Sequence, residues 1–234
     1  VDKAGNNGAE SQPVDFIVDT SAVLVTINSV YDDAGSVTGN LTSGAVSDDT
    51  TPTLNGSATP DALIHIYNNG TLIGSAKANY KGEWSFTPDV ALAEGEHHFT
   101  ATATNAAGTS AESSPFDLTI DLTPPVVGGI DSVLDDVGTV QGPVDNGGIT
   151  DDTTPTLVGE GVPGDVVTII DNGETIGSAV IGENGKWTFT PETPLNDGEH
   201  KFETVITDPA GNSSQPSDPY IVTVDTQAPN KPAI

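Results

Sequence analysis

Short stretches of alternating apolar and polar residues follow one another through the second half of this chain. Each is closed by glycine, proline, asparagine or aspartate. An early run lies near GIDSVL (129–134), and PTLVGEG, DVVTIID, ETIGSAVIG, KWTFTPE, HKFETVITD and PYIVTVD complete the series. A period of two marks strands with one buried face, and turn residues at short intervals mark the reversals between them. Asn-Gly stands between two such runs at 69–70 and again at 172–173, which predicts tight hairpins. Alternation puts Trp84 with Phe86, and Trp187 with Phe189, on one strand face, where large aromatics predict core anchors rather than an exposed platform.

The first half spells the same pattern. SDDTTPTL (47–54) returns as TDDTTPTL (150–157), YDDAGSVTG (31–39) as LDDVGTVQG (134–142), and YNNGTLIGSA (67–76) as IDNGETIGSA (170–179). KGEWSFTP (81–88) matches NGKWTFTP (184–191), and EGEHHFTATATNAAG (94–108) matches DGEHKFETVITDPAG (197–211). Two copies of one domain are therefore expected, at 22–122 and 123–226. Residues 1–21 resemble the end of a copy and are expected to be the tail of a preceding one; 227–234 are expected to lead into a following one. Seven strands per copy is the count of an immunoglobulin-like fold. The expected fold class is all-β: tandem immunoglobulin-like seven-stranded β-sandwiches arranged as a rod.

Charge narrows the function. The chain carries 34 acidic residues against 6 basic ones, all lysine, for a net charge of −28. Nucleic acid is excluded as a partner, because phosphate contacts need a basic face. No apolar run approaches the ~20 residues of a membrane span, so no membrane insertion is expected. There is no cysteine for disulfides or thiolate metal sites.

The carboxylates gather in the loop before the PTL strand and at strand ends: Asp32, Asp33, Asp48 and Asp49 in the first copy, and Asp135, Asp136, Asp151 and Asp152 in the second. Asp19, Asp121 and Asp225 each close a last strand. In an up-and-down sandwich the first loop lies at the end where the last strand leaves, so Asp121 should join the first copy's cluster. The loop between the last two strands lies at the opposite end, which would turn Asp208 and Asn212 toward the acidic end of the first copy. Two carboxylates 4 Å apart repel by about 4 kcal/mol at an effective dielectric of 20. A hard cation with oxygen ligands relieves this, and Ca²⁺ tolerates irregular loops. A solvated acidic loop without an ion remains the alternative. No EF-hand loop is present.

DDTTPTL, G-x-W-x-F-T-P, DGEH-x-F, TDPAGN and the VDT-x-AP linker together resemble the bacterial Ig-like repeats of giant non-fimbrial adhesins secreted through type I systems, whether SiiE-like or the large biofilm-associated kind. The resemblance spans both copies and both linkers. It implies Ca²⁺ held at or near the junctions by the linker aspartates and the pairs already named. It also implies adjacent repeats of the same chain as partners, an extracellular or bacterial-surface location, and a monomeric stalk whose receptor contacts lie elsewhere in the parent protein. The first copy departs from the pattern at Asn105, where the second has Asp208, so its junction with a preceding domain would bind an ion more weakly or with a neutral oxygen instead.

Catalysis is not expected. His65, His97, His98 and His200 stand in no metal-ligand or triad spacing, and His97 and His200 correspond in the repeat, which predicts a structural placement. The competing reading is an accessory or carbohydrate-binding module of a secreted hydrolase, which would need exposed aromatics.

Overall fold

The computed structural model describes residues 1, 3–10, 12–15 and 22–229. Within them the first copy contains β1 (Val25–Asp32), β2 (Gly39–Leu41), β3 (Ala45–Ser47), β4 (Thr53–Ala58), β5 (Leu63–Asn68), β6 (Thr71–Lys77), β7 (Glu83–Phe86), β8 (Gly95–Asn105), β9 (Gly108–Thr109) and β10 (Phe116–Ile120). The second contains β11 (Ser132–Asp135), β12 (Gly142–Val144), β13 (Gly148–Thr150), β14 (Thr156–Glu160), β15 (Val166–Asp171), β16 (Glu174–Val180), β17 (Lys186–Phe189), β18 (Gly198–Thr207) and β19 (Tyr220–Val224). No helix occurs among the described residues.

Each copy is a two-sheet sandwich. One sheet runs β2-β1-β4-β7, and its counterpart β12-β11-β14-β17. The other runs β3-β10-β8-β5-β6, with β9 beside β8, and its counterpart is β13-β19-β18-β15-β16. The expected strands are joined by short ones that the pattern did not give. The stretch read as a loop ahead of β4 contains β2 and β3, through which the chain passes from one sheet to the other. β3 pairs parallel to β10, and β13 parallel to β19, so the topology is not up-and-down. At three residues each, these strands are too short to show a period.

The hairpins form where Asn-Gly predicts them. Asn69 and Asn172 take φ of 49° and 50°, left-handed values that asparagine tolerates and that a tight turn between right-twisted strands requires. The inward residues of both sheets meet in one core per copy. Val30, Leu54, Ile64, Ile66, Phe99 and Ile120 are wholly enclosed in the first, and Val133, Leu157, Val167, Ile169 and Phe202 in the second. Trp84 and Trp187 are core residues, 4% and 2% exposed. Each indole lies over a glycine of the neighbouring strand: a methyl on Gly56 would come within 2.3 Å of Trp84 Cζ2, and one on Gly159 within 2.6 Å of Trp187. His97 and His200 are buried, stacked on Phe99 and Phe202 two residues along the same strand face.

Candidate functional site

The repeated Asp-Asp pairs sit where β3 hands the chain to β4. Asp32, at the end of β1, is buried; its Oδ1 accepts from Ala34 N at 2.9 Å and its Oδ2 from the Ser47 hydroxyl. That hydroxyl oxygen accepts from Asp49 N at 3.1 Å. Asp49, also buried, accepts from Thr51 N at 2.8 Å and from Asp33 N at 3.4 Å. The second copy repeats the network with Asp135, Thr150, Asp152, Thr154 and Asp136 in the same roles. These buried aspartates hold their own turns. Asp33 and Asp136 contribute backbone N–H groups while their side chains face solvent. The hydroxyl that links the pair escaped the sequence reading, although a Ser or Thr directly before Asp-Asp in both copies was the available signal.

Asp48 faces the other way. Its N–H donates to the carbonyl of Ala210 in the second copy at 3.2 Å. Around that contact the Ser36 hydroxyl donates to the carbonyl of Gly211 at 2.9 Å, and Asn212 Nδ2 donates to the carbonyl of Asp121 at 2.9 Å. The loop between the last two strands of the second copy is thus seated on the acidic end of the first. The loop is shaped by Asp208, whose Oδ1 accepts from Gly211 N and Asn212 N at 2.9 Å each and whose Oδ2 accepts from Asn212 Nδ2. Asp121 N donates to the carbonyl of Ser47, which brings the linker aspartate to the same end, and its Oδ1 accepts from Thr123 N.

The electrostatics single out Asp48. Burial raises its carboxyl above the ordinary value of 3.8; the Asp32 charge adds to this, and those of Asp208 and Asp49 add less, against an opposing backbone hydrogen bond. Its Oδ1 is buried and has no hydrogen-bond partner among the described residues. Gly35 leaves room for this carboxylate, since a Cβ there would lie within van der Waals radii of Asp48 Oδ2. A further residue belongs to this neighbourhood. Asp165 is 4% exposed, and burial and the charge of Asp208 raise its carboxyl as well. Ala62 occupies the corresponding place in the first copy, so comparison of the copies concealed it.

The remaining expected residues are spread out. Asp151, the counterpart of Asp48, is exposed. Asp225 N donates to the carbonyl of Thr150, and its Oδ1 accepts from Gln227 N. Asn105 Oδ1 accepts from Ala107 N at the far end of the first copy. Asp19 lies outside the described residues. Among the described residues no three Asp, Glu or His side chains form a group ready to hold a metal ion. What bears on a hard cation at the junction is the buried Asp48 Oδ1, which has no hydrogen-bond partner among the described residues.

Residues 24–122 and residues 132–226 each match the bacterial Ig-like domain family. The chain belongs to that family. Bacillopeptidase F of Bacillus subtilis (strain 168) is 29% identical over 162 residues, which covers 69% of this chain and 10% of that protein. The bacterial Ig-like chain therefore spans about a tenth of the length of this curated relative. Among solved structures it is similar to fibronectin(III)-like modules of Clostridium thermocellum CbhA, with a TM-score of 0.48, 18% identity, and coverage of 88% of this chain and 99% of that one. It is also similar to a tetra-tandem repeat in the extending region of a large adhesion protein, with a TM-score of 0.30, 21% identity, and coverage of 88% of this chain and 49% of the other. No helix of the described residues is long and apolar enough to cross a membrane.

Proposed function

We propose that these two bacterial Ig-like domains are spacer units of a giant surface adhesin of the SiiE-like or biofilm-associated kind, stiffened at their junction by Ca²⁺. The observation that carries this reading is the seating of the 208–212 loop against Asp48, whose buried Oδ1 has no donor. A junction that concentrates carboxylates with no ion pair to a basic residue among the described residues is costly as it stands, because like charges raise one another's proton affinity. Ca²⁺ takes six to eight oxygen ligands. Asp48, Asp121 and Asp208, with the carbonyls of the seated loop, would hold it. When bound, the ion supplies the positive charge that lets two acidic surfaces stay closed. The chain itself supplies the loop, the socket and the linker that joins them. Asp225 and the second copy's pairs would serve a following repeat, and Asp19 and Asn105 a preceding one. The array would stand outside the cell and present binding regions elsewhere in the parent protein.

Small-angle X-ray scattering of the chain in millimolar Ca²⁺, and again after chelation, tests this. A stiff, extended particle that becomes flexible on chelation, with the change abolished by Asp48→Ala, is the expected result. Superimposable curves would sink it. The relationship to Bacillopeptidase F favours a second reading, in which such domains are ion-independent accessory modules of a secreted hydrolase. Calorimetry that detects no Ca²⁺ binding would favour that reading.

A further inference from the structure

Beside the edge strand of the second sheet, each copy has an open depression built from corresponding residues. In the first copy it lies between β6 and the loop after β7 and encloses about 550 Å³. In the second it lies between β16 and the loop after β17 and encloses about 380 Å³. The residue on β5 or β15 that lines it differs between the copies, Asn68 in one and Asp171 in the other, beside His97 or His200.

Hydrogen-bond accounting shows what the exchange does. His200 Nε2 lies 2.9 Å from the carbonyl of Asn196, which can only accept, so Nε2 donates. His200 Nδ1 lies 2.6 Å from Asp171 Oδ2 with a proton between them, so the two form a buried pair whose charges balance. That leaves Asp171 Oδ1, which is buried, has no partner among the described residues, and can only accept. The residue as a whole is 9% exposed. In the first copy Asn68 Nδ2 donates to His97 Nδ1 at 2.8 Å, and the orphaned oxygen belongs to a neutral amide. The walls follow the floor. Leu72, Val90 and Ala93 in the first copy become Thr175, Thr193 and Asn196 in the second, while both rims keep an exposed carboxylate, Asp89 in the first and Glu192 in the second. Ile176, Pro191 and Leu195 keep an apolar side to the second depression.

We propose that the depression beside β16 binds a primary ammonium group carried on a short apolar stem. The floor carboxylate is paired with His200 through Oδ2 and leaves only Oδ1 without a donor; that oxygen and the rim carboxylate both call for one, and charge-assisted hydrogen bonds are the strong ones. The chain's net charge of −28 concentrates cations and repels anions. The ammonium can belong to a free small amine or to a lysine side chain of another protein. This site does not depend on the junction or on Ca²⁺.

The test is titration of the whole chain, in chelator, with n-butylammonium chloride, followed by backbone amide NMR. Saturable shifts are expected at Thr175, Ile176 and Thr193 to Asn196, with half-saturation about tenfold lower in concentration than at Leu72 and Val90 to Ala93. Asp171→Asn should reduce the second copy to the behaviour of the first, and Asn68 beside His97 shows that the fold accepts asparagine there. Sodium chloride at equal ionic strength should leave these resonances unmoved, and n-butanol should bind more weakly. A blocked Gly-Lys-Gly peptide that binds more tightly than butylammonium would identify a protein lysine as the source; equal or weaker binding would identify a small amine. Shifts that do not saturate, that survive Asp171→Asn, or that n-butanol reproduces at equal concentration would overturn the proposal.

Discussion

Burial raises the Asp48 carboxyl, Asp32 raises it whether the junction is open or closed, and the Asp208 charge on the seated loop raises it further on closing, so the closed form holds its proton more tightly than an open one. The sign of the linkage follows. This group's contribution to closing is fully present below its value in the open form and is lost as pH rises through the higher value of the closed form. In chelator, acidification through that window should therefore bring the copies together. The chain contains no cysteine, so one introduced on each copy carries a dye without interference. Transfer efficiency between the dyes should rise toward acid in the wild type and lose most of that dependence in Asp48→Asn. At the core, Trp84→Ala should cost roughly 3–5 kcal/mol as a large-to-small change. Gly56→Ala should cost about 1–3 kcal/mol or more, because the new methyl meets both the indole and the carbonyl of Thr26. Urea unfolding followed by far-UV circular dichroism checks both, with the second copy's transition, reported by Trp187 emission, as the internal reference.

At the scale of elements, the 208–212 loop is the part of the second copy that reaches the first. Gly211 takes φ of +108°, and a Cβ there would stand 3.2 Å from Asp48 Oδ2 and 3.3 Å from Val37 N. Gly211→Val should open the junction while leaving both sandwiches folded, seen as unchanged circular dichroism with a longer mean dye separation. The long strands, the hairpins and the buried tryptophans were legible in the sequence because period-two burial and Asn-Gly turns are local signals. β2, β3, β12 and β13 were not, since their pairing with β1, β10, β11 and β19 is a matter of distant register. The acidic pairs were found but only partly understood. Nothing local separates Asp49, which closes its own turn, from Asp48, which turns to the neighbouring copy. Asp165 was invisible because the copies differ there.

Across the whole molecule, the two acidic ends are alike in sequence and unlike in surroundings. Val37 is 45% exposed beside the seated loop, whereas its counterpart Val140 is 80% exposed with nothing in the described residues over it. A further repeat bearing an Asp-Pro-Ala-Gly-Asn loop, fused after Asp225 through the natural spacing, should slow hydrogen exchange around Gly138 to Asp151 toward the rate found at Gly35 to Asp48. Exchange left unchanged would mean that the second end is not a socket.

The parallel pairing of β3 with β10 has a consequence for a chain pulled from both ends. The incoming segment runs alongside the outgoing one in the same direction, with Ala45, Val46 and Ser47 opposite Leu118, Thr119 and Ile120. Once tension reaches β3, it draws that strand backward while β10 is drawn forward. The hydrogen bonds between them are strained in shear and must give way together rather than unzip one at a time. A domain can then be thermodynamically ordinary and still yield only to a large force.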